Sequence, residues 1–314
     1  MLTLALAALS ALAALSATAV LAQGPAVPLN VSAWAGKRVL FITAHPDDIE
    51  CFAGGLVGQL GAHNISTSYL VATNGDKGGQ CYNATRPTLG PLVFRDCETE
   101  ELAFVRRNEM VDAAAFLGVT DVSRFSLQDG MMASYDETLL RMRMSVVIRR
   151  VRPHVIVTHY PFANWRAPPS CNGQCPGANA RWNDIGYHPD HKKVGQLVFD
   201  TAYGSGSVAG NRHAFTELVE AGLPPWTAEK LFFFAENAAS AAAPFTTHFL
   251  PLGEEPFATN KQMQQKVDAQ YWHRSQYHER ALLAEATRWR DGEISSAVNK
   301  SCKGCYAEGY MGWY

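Results

Sequence analysis

Residues 38–50 read RVLFITAHPDDIE. The first seven, Arg38 to Ala44, are a continuous apolar run rich in β-branched and aromatic side chains, the pattern of a strand buried on both faces. The run stops abruptly at His45-Pro46-Asp47-Asp48, and residues 48–62 then carry a helical pattern with Gly61 near its end. Outward from this unit the alternation continues. Ser66–Thr73 (STSYLVAT) predicts a second strand, followed by a long irregular loop from Asn74 to about Arg95. Helices are expected over 98–117, with Gly118 as the stop, and over Leu139–Val151. His154–Tyr160 (HVIVTHY), after Pro153, predicts a third strand, and 161–187 a second long loop. A helix over His191–Ala202, a strand over Lys230–Glu236 (KLFFFAE) and a long amphipathic helix over 260–285 complete the pattern. Strands alternating with helices imply βαβ units, hence an α/β fold with a mostly parallel sheet and helices on both faces. Residues 37–314 are expected to form one domain. In such sheets ligands bind beyond the carboxyl ends of the strands.

Two segments rich in ionisable groups fall at that edge. In the first, His45, Asp47, Asp48 and Glu50 crowd into six residues where the first strand ends. Adjacent carboxylates at the mouth of a buried strand repel each other and are partly desolvated, a cost that a bound cation offsets. His45 and Asp48 stand three apart across the turn, so both can reach one ion, which leaves Asp47 free to act as a base. The second segment is Gly186-Tyr187-His188-Pro189-Asp190-His191, opening a helix. A solvated loop could hold either cluster without function, but two such clusters at one sheet edge point to a metal site. Two imidazoles and one carboxylate with an open fourth position suit catalytic zinc. The same trio could serve Fe(II); no oxygenase features accompany it, so Zn2+ is the expected metal.

The chain resembles the LmbE/PIG-L-like family of zinc-dependent de-N-acetylases. Members share a strand ending in His-Pro-Asp-Asp and a later His-Pro-Asp-His, and both stand here verbatim, at 45–48 and 188–191. Thr73-Asn-Gly-Asp-Lys-Gly78, Arg106-Arg-Asn-Glu109 followed by Leu117-Gly118-Val119, Gln128-Asp129-Gly130-Met131, Arg152-Pro-His-Val-Ile-Val-Thr158 and Ser275-Gln276 also match, so the likeness runs from about Lys37 to about Gln276. One departure is Ile49, which separates the aspartate pair from Glu50; many members have Glu directly after the pair. The resemblance implies a Rossmann-like sheet and removal of an N-acetyl group from an N-acetylglucosamine-type glycoconjugate, as in N-acetylglucosaminyl-phosphatidylinositol deacetylases. It implies zinc on His45, Asp48 and His191, and Asp47 as general base. By the same likeness His188 is the imidazolium that stabilises the oxyanion, Asp190 orients and charges His188, and Arg106 and Asp129 bind sugar hydroxyls. A secreted deacetylase of another amino sugar or polysaccharide is an alternative. So is an inactive secreted sugar-binding protein, although a lectin needs no ligands, base and oxyanion histidine together.

Other classes are disfavoured. A formal net charge of −2 argues against a dedicated nucleic-acid binder. No G-x-G-x-x-G follows the first strand, as a nucleotide-binding fold would show; Gly54, Gly55 and Gly58 come too late. Residues 1–22 are almost wholly apolar. The small-residue end at Val20-Leu21-Ala22 favours a cleaved signal peptide, while the length and missing basic start leave a membrane anchor as the rival. Sequons at Asn30, Asn64, Asn83 and Asn299 fit a secreted or secretory-pathway protein, with the endoplasmic reticulum membrane as the alternative if the segment stays uncleaved. The seven cysteines add to this reading. Cys81 with Cys97, Cys171 with Cys175 and Cys302 with Cys305 form local pairs in polar loops, as staples do in an oxidising compartment. Cys302-Lys-Gly-Cys305 also has CxxC spacing, but no second CxxC accompanies it. Cys51 is left over, as a buried thiol.

Overall fold

A computed structural model describes residues 26–161, 188–203, 207–236, 246–298, 302 and 304–313. Its strands are Val27–Pro28 (β1), Arg38–Thr43 (β2), Ser66–Thr73 (β3), Cys81–Tyr82 (β4), Phe94–Arg95 (β5), Asp121–Leu127 (β6), Val155–Thr158 (β7), Lys230–Ala235 (β8), His248–Glu254 (β9) and Cys305–Trp313 (β10). The helices are Asp48–Ala62 (α1), Thr99–Phe116 (α2), Glu137–Val151 (α3), Pro189–Ala202 (α4), Thr216–Glu220 (α5), Lys261–Tyr271 (α6) and Arg280–Val298 (α7). Eight strands form one sheet in the order β1-β9-β10-β8-β7-β2-β3-β6. The five from β8 to β6 are parallel, and β10 runs antiparallel to both β8 and β9. The expected α/β architecture with a mostly parallel sheet is therefore present.

The alternation of side chains along β2 builds two cores. Val39 and Phe41 pack with Ile49, Leu56 and Leu60 of α1, Met110 of α2 and Met263 of α6. Leu40 and Ile42 face the other way, onto Leu140, Met144 and Ile148 of α3 and Val194, Leu197 and Val198 of α4. Because both faces are covered, β2 carries no polar side chain between Val39 and Ile42, which explains its unbroken apolar run. Such burial contributes roughly 1.5–3 kcal/mol per large side chain.

Register sets the site. Ile42 of β2 pairs with Thr158 of β7, and Thr158 with Phe233 of β8. The chain therefore leaves β2, β7 and β8 side by side, and His45, His159 and Glu236 follow directly at one edge. On the other flank Thr73 pairs with Leu127, bringing Asp129 to the same edge. Helix α4 must pass close to the end of β7: a Cβ on Gly195 would run into the carbonyl oxygen of His159, so only glycine permits this approach.

Several expectations need adjustment. The helix expected over 260–285 is two helices, α6 and α7. The chain between them is held by the site instead: His273 Nε2 lies 3.1 Å from Glu50 Oε2, Glu109 accepts from Ser275 N and Oγ at 2.6 Å each, and Gln276 donates to the Gly78 carbonyl. The loop expected from Asn74 to Arg95 contains the β4–β5 hairpin, closed by a disulfide from Cys81 to Cys97 in the link to α2. Cys302 and Cys305 are also paired, and Cys51 is a buried free thiol, as expected. The Cys171–Cys175 pair, the loop 162–187, the apolar N-terminus and Asn299 lie outside the described residues. Asn30, Asn64 and Asn83 are exposed. Among the described residues no helix is long and apolar enough to cross a membrane.

Candidate active site

The turn after β2 is tied down before any chemistry is considered. Thr73 donates from its amide and its hydroxyl to the Ala44 carbonyl, at 2.8 and 2.9 Å. Asp47 occupies the N-cap position of α1, yet its side chain makes no capping bond. An aspartate at that position ordinarily accepts from the first-turn amides. Here it is turned away, and Arg106 Nη2 donates to its Oδ1 at 2.8 Å. Asp48 sits in the first turn, its Oδ2 accepting the His45 amide at 2.7 Å.

His45, Asp48 and His191 converge although the last is 146 residues from the first. His45 Nδ1 lies 3.1 Å from His191 Nε2 and 3.6 Å from Asp48 Oδ2, and His191 Nε2 lies 3.2 Å from Asp48 Oδ1. Ligands roughly 2.0–2.1 Å from a tetrahedral zinc ion stand about 3.3 Å apart, so these spacings fit one ion. The donor chemistry fits as well: two imidazole nitrogens and a carboxylate crowd together. His188 also brings a ring nitrogen within 4.8 Å of nitrogens on His45 and His191, and His159 does so for Asp48 and His191.

Each histidine is backed by carboxylate. His45 Nε2 faces Asp129 Oδ1 at 3.0 Å and Asp190 Oδ2 at 3.5 Å. His191 Nδ1 faces Glu236 Oε2 at 3.0 Å; the other oxygen, Oε1, lies 2.7 Å from His159 Nδ1, and His159 Nε2 lies 3.0 Å from Asp48 Oδ2. Metal-binding histidines are held by such partners as a rule. Burial alone would lower the His45 pKa, but Asp129, Asp190 and Asp48 raise it well above the ordinary value. His191 is likewise lowered by burial, yet Asp48 and Glu236 bring it up to about 10. Burial pushes the Glu236 carboxyl up, and the charges of His191 and His159 overcome this to hold it at about 2. Asp48, raised by burial, is drawn well below the carboxylate range by the same two histidines. Burial pushes the Cys51 thiol up to about 12, which removes it as a nucleophile.

Three assignments change in the structure. Arg106, expected to reach sugar hydroxyls, is 3% exposed and turned inward: Nη1 donates to the Gly75 and Gly78 carbonyls at 2.8 and 3.3 Å, and Nη2 to Asp47. Asp129, also expected on hydroxyls, gives Oδ1 to His45, while its amide donates to Asp76 Oδ1 at 2.8 Å. Asp190 was expected to orient and charge His188. Its carboxylate instead accepts from the amides of Gly130 and Met132, at 2.7 and 3.1 Å. Only its backbone amide touches the histidine, donating to Nδ1 at 3.2 Å. That bond requires an unprotonated Nδ1 and favours a neutral ring that carries its proton on Nε2. Burial, and then the charges of His45 and His191, also lower the His188 pKa, with Asp190 and Asp129 opposing only in part. A metal dication in place of the two histidine protons would act in the same direction. His188 nonetheless stands beside His45 and His191, with 35% of its side chain exposed.

His159 and Glu236 were not anticipated. Neither lies in a motif; His159 is the first residue past β7, beside β2, and Glu236 the first past β8, the next strand along, and that position was their only signal.

The PIG-L family, described as GlcNAc-PI de-N-acetylase, matches residues 40–169, a span containing the His45–Asp48 motif, Arg106 and Asp129. Over that span, about two fifths of its length, the chain is similar to the PIG-L family. Among curated relatives, a probable N-acetyl-α-D-glucosaminyl L-malate deacetylase 2 of Bacillus subtilis is 27% identical over 167 residues, 53% of this chain and 61% of that protein. Its counterpart in Bacillus cereus is 25% identical over 52% of this chain and 59% of its own length. A probable N-acetylglucosaminyl-phosphatidylinositol de-N-acetylase of Schizosaccharomyces pombe is 29% identical over 40% and 44%. The chain thus spans about three fifths of the length of the two Bacillus relatives. The PIG-L fold itself is shared with N,N'-diacetylchitobiose deacetylase from Pyrococcus horikoshii, at a TM-score of 0.62 and 19% identity over 88% of this chain and 84% of that one. It is shared also with GalB, a 4-carboxy-2-hydroxymuconate hydratase from Pseudomonas putida, at a TM-score of 0.55 and 17% identity over 88% and 96%. One PIG-L-like scaffold therefore carries two reaction types, and the fold alone does not choose between them.

Proposed function

We propose that this protein is a zinc-dependent amidohydrolase that removes the acetyl group from an N-acetylglucosamine-type glycoconjugate. The observation that carries the reading is the convergence of His45 Nδ1, His191 Nε2 and Asp48 at metal-ligand spacing, beside an aspartate that caps nothing and is held by an arginine. The names of the relatives support an N-acetylglucosaminyl substrate. An inactive sugar-binding protein would not need this constellation.

His45, Asp48 and His191 would hold the ion. Zinc, when bound, supplies Lewis acidity that polarises an amide carbonyl and makes water acidic near neutral pH. Asp47 accepts the proton of the attacking water, and Arg106 fixes the direction in which its carboxylate points. His188 donates from Nε2 to the oxygen that becomes negative as the carbonyl carbon turns tetrahedral; as a neutral donor it needs no charge to do so. The proton on Asp47 then passes to the leaving amine, and the products are acetate and a free amino sugar. The test is acetate release from a panel with N-acetylglucosaminyl malate, N-acetylglucosaminyl-phosphatidylinositol and N,N'-diacetylchitobiose. Release from one or more members is expected, and no release from any would contradict the reading.

The histidine shifts carry a pH prediction. The carboxylates that raise the His45 and His191 pKa values let protons compete with a metal ion for the two rings, and ligation requires both to be unprotonated. Zinc uptake at pH 7 is therefore expected to release protons, in a number that falls as pH rises, and affinity to climb with pH. Titration calorimetry in buffers of different ionisation enthalpy reads this number; zinc binding without proton release would remove these histidines from the ligand set.

We further propose that the chain enters the secretory pathway, with residues 1–22 as the entry segment. The Cys81–Cys97 and Cys302–Cys305 disulfides and the exposed Asn30, Asn64 and Asn83 support this. Protein purified from a eukaryotic secretory host should run faster on a gel after glycosidase treatment; an unchanged mobility would argue against it.

A further inference from the structure

We propose that Glu236 and His159 are a positioning pair that fixes His191 and Asp48 in metal-binding geometry and thereby sets the affinity of the site for zinc. The inference rests on the zinc reading above and adds to it two residues outside the ligand set.

Glu236 follows β8 and His159 follows β7, neighbouring parallel strands paired through Thr158 and Phe233. Their side chains close a ring behind the ligands. Glu236 Oε2 meets His191 Nδ1 at 3.0 Å and Oε1 meets His159 Nδ1 at 2.7 Å; His159 Nε2 then meets Asp48 Oδ2 at 3.0 Å. An ionised carboxylate only accepts. Both imidazoles must therefore present Nδ1–H to Glu236, and once His191 gives up its other proton the lone pair is left on Nε2, on the side of His45 and Asp48. The tautomer needed for ligation is thus chosen by Glu236. His159 transmits the same constraint to Asp48, leaving Oδ1 on the side of His191 Nε2.

The pair cannot swing away. The His159 and His191 rings are stacked, 3.9 Å between centroids at 16°. Phe52 meets both edge-on at 6.1 Å, and Phe234 meets His159 at 5.4 Å. His159 is fully buried. An apolar box around a polar ring lowers the local dielectric and strengthens each bond inside it. His45 has an analogous backing from Asp129 and Asp190.

The experiment is the zinc dissociation constant of the full chain, measured by chelator competition for wild type, Glu236→Ala, Glu236→Gln, His159→Ala and His191→Ala. The metal-free forms are checked by circular dichroism, and the tautomer of His191 is read from its imidazole 15N shifts. Loss of an outer partner of this kind weakens metal binding by about 10- to 100-fold. That loss is expected for Glu236→Ala and His159→Ala, together with a shift of His191 away from the Nδ1–H tautomer in Glu236→Ala. Glu236→Gln has the same size and can accept from only one of the two rings, so it should weaken binding even if the alanine variant does not fold. Folded Glu236 variants that bind zinc as tightly as wild type, with an unchanged His191 tautomer, would overturn the proposal while leaving the zinc site standing. Wild type binding zinc no more tightly than His191→Ala would overturn the zinc reading itself, and the positioning role with it.

Discussion

An Asp47→Asn protein is expected to hold zinc as wild type does and to lose about 10²- to 10⁴-fold in kcat, the range a positioned general base supplies. The substitution is conservative in shape. The amide oxygen of asparagine can still accept from Arg106 Nη2, now 2.8 Å from Asp47 Oδ1, so the arginine keeps its partner and the turn its geometry. What disappears is a group basic enough to take a proton from water. Zinc should stay because its ligands are elsewhere, with Asp48 filling the carboxylate place beside His45 and His191. Metal content and turnover measured on the same sample separate the two roles. If Asp47→Asn lost zinc as completely as His191→Ala, the division of labour between the two aspartates would be wrong.

Arg106→Ala should lower kcat by about 10²-fold, the effect expected when a catalytic group is misplaced by about an ångström, and leave KM little changed. The guanidinium joins Asp47 to the Gly75 and Gly78 carbonyls. Gly75 has a positive φ of 62°, and a Cβ there would collide with the guanidinium, so loop and arginine are fitted to each other. Removing Arg106 frees the Asp47 carboxylate to rotate and takes a donor from the Gly75 and Gly78 carbonyls, of which Gly78 keeps Gln276. A residue bound to sugar hydroxyls would show the opposite split, a raised KM with kcat preserved, and steady-state kinetics on one N-acetylglucosaminide tells the two apart.

Much of this arrangement was legible before the structure. The runs 38–44 and 66–73 announced themselves because strands covered on both faces carry β-branched, aromatic and small side chains with no charge between Val39 and Ala44 or within 66–73, and β3 has the bounds expected of it. Strand β6 did not, since DVSRFSL mixes polar and apolar positions in a strand at the sheet edge. Strands β9 and β10 are interrupted by Pro251, Gly253, Gly309 and Gly312, which mask a β pattern. The break between α6 and α7 was invisible for another reason: 272–279 contains neither glycine nor proline, and the helix ends there because Glu50, Glu109 and Gly78 bind its residues. In the site, His45, Asp48 and His191 were readable because ligands recur in dense local motifs. Arg106, Asp129 and Asp190 were found, but their partners were not, because a contact such as Arg106 to Asp47, 59 residues apart, is set by the sheet order. His159 and Glu236 show the same limit, single residues given meaning only by the neighbouring ends of β2, β7 and β8.

The central claim is that His45, Asp48 and His191 hold the zinc ion on which deacetylation depends. The most direct measurement is acetate release by metal-stripped protein titrated with zinc, with His191→Ala beside it. The account predicts no activity in the stripped protein, recovery that rises linearly and levels off near one zinc per chain, and no recovery in His191→Ala. Acetate release that survives stripping, or that zinc restores equally in His191→Ala, would contradict it.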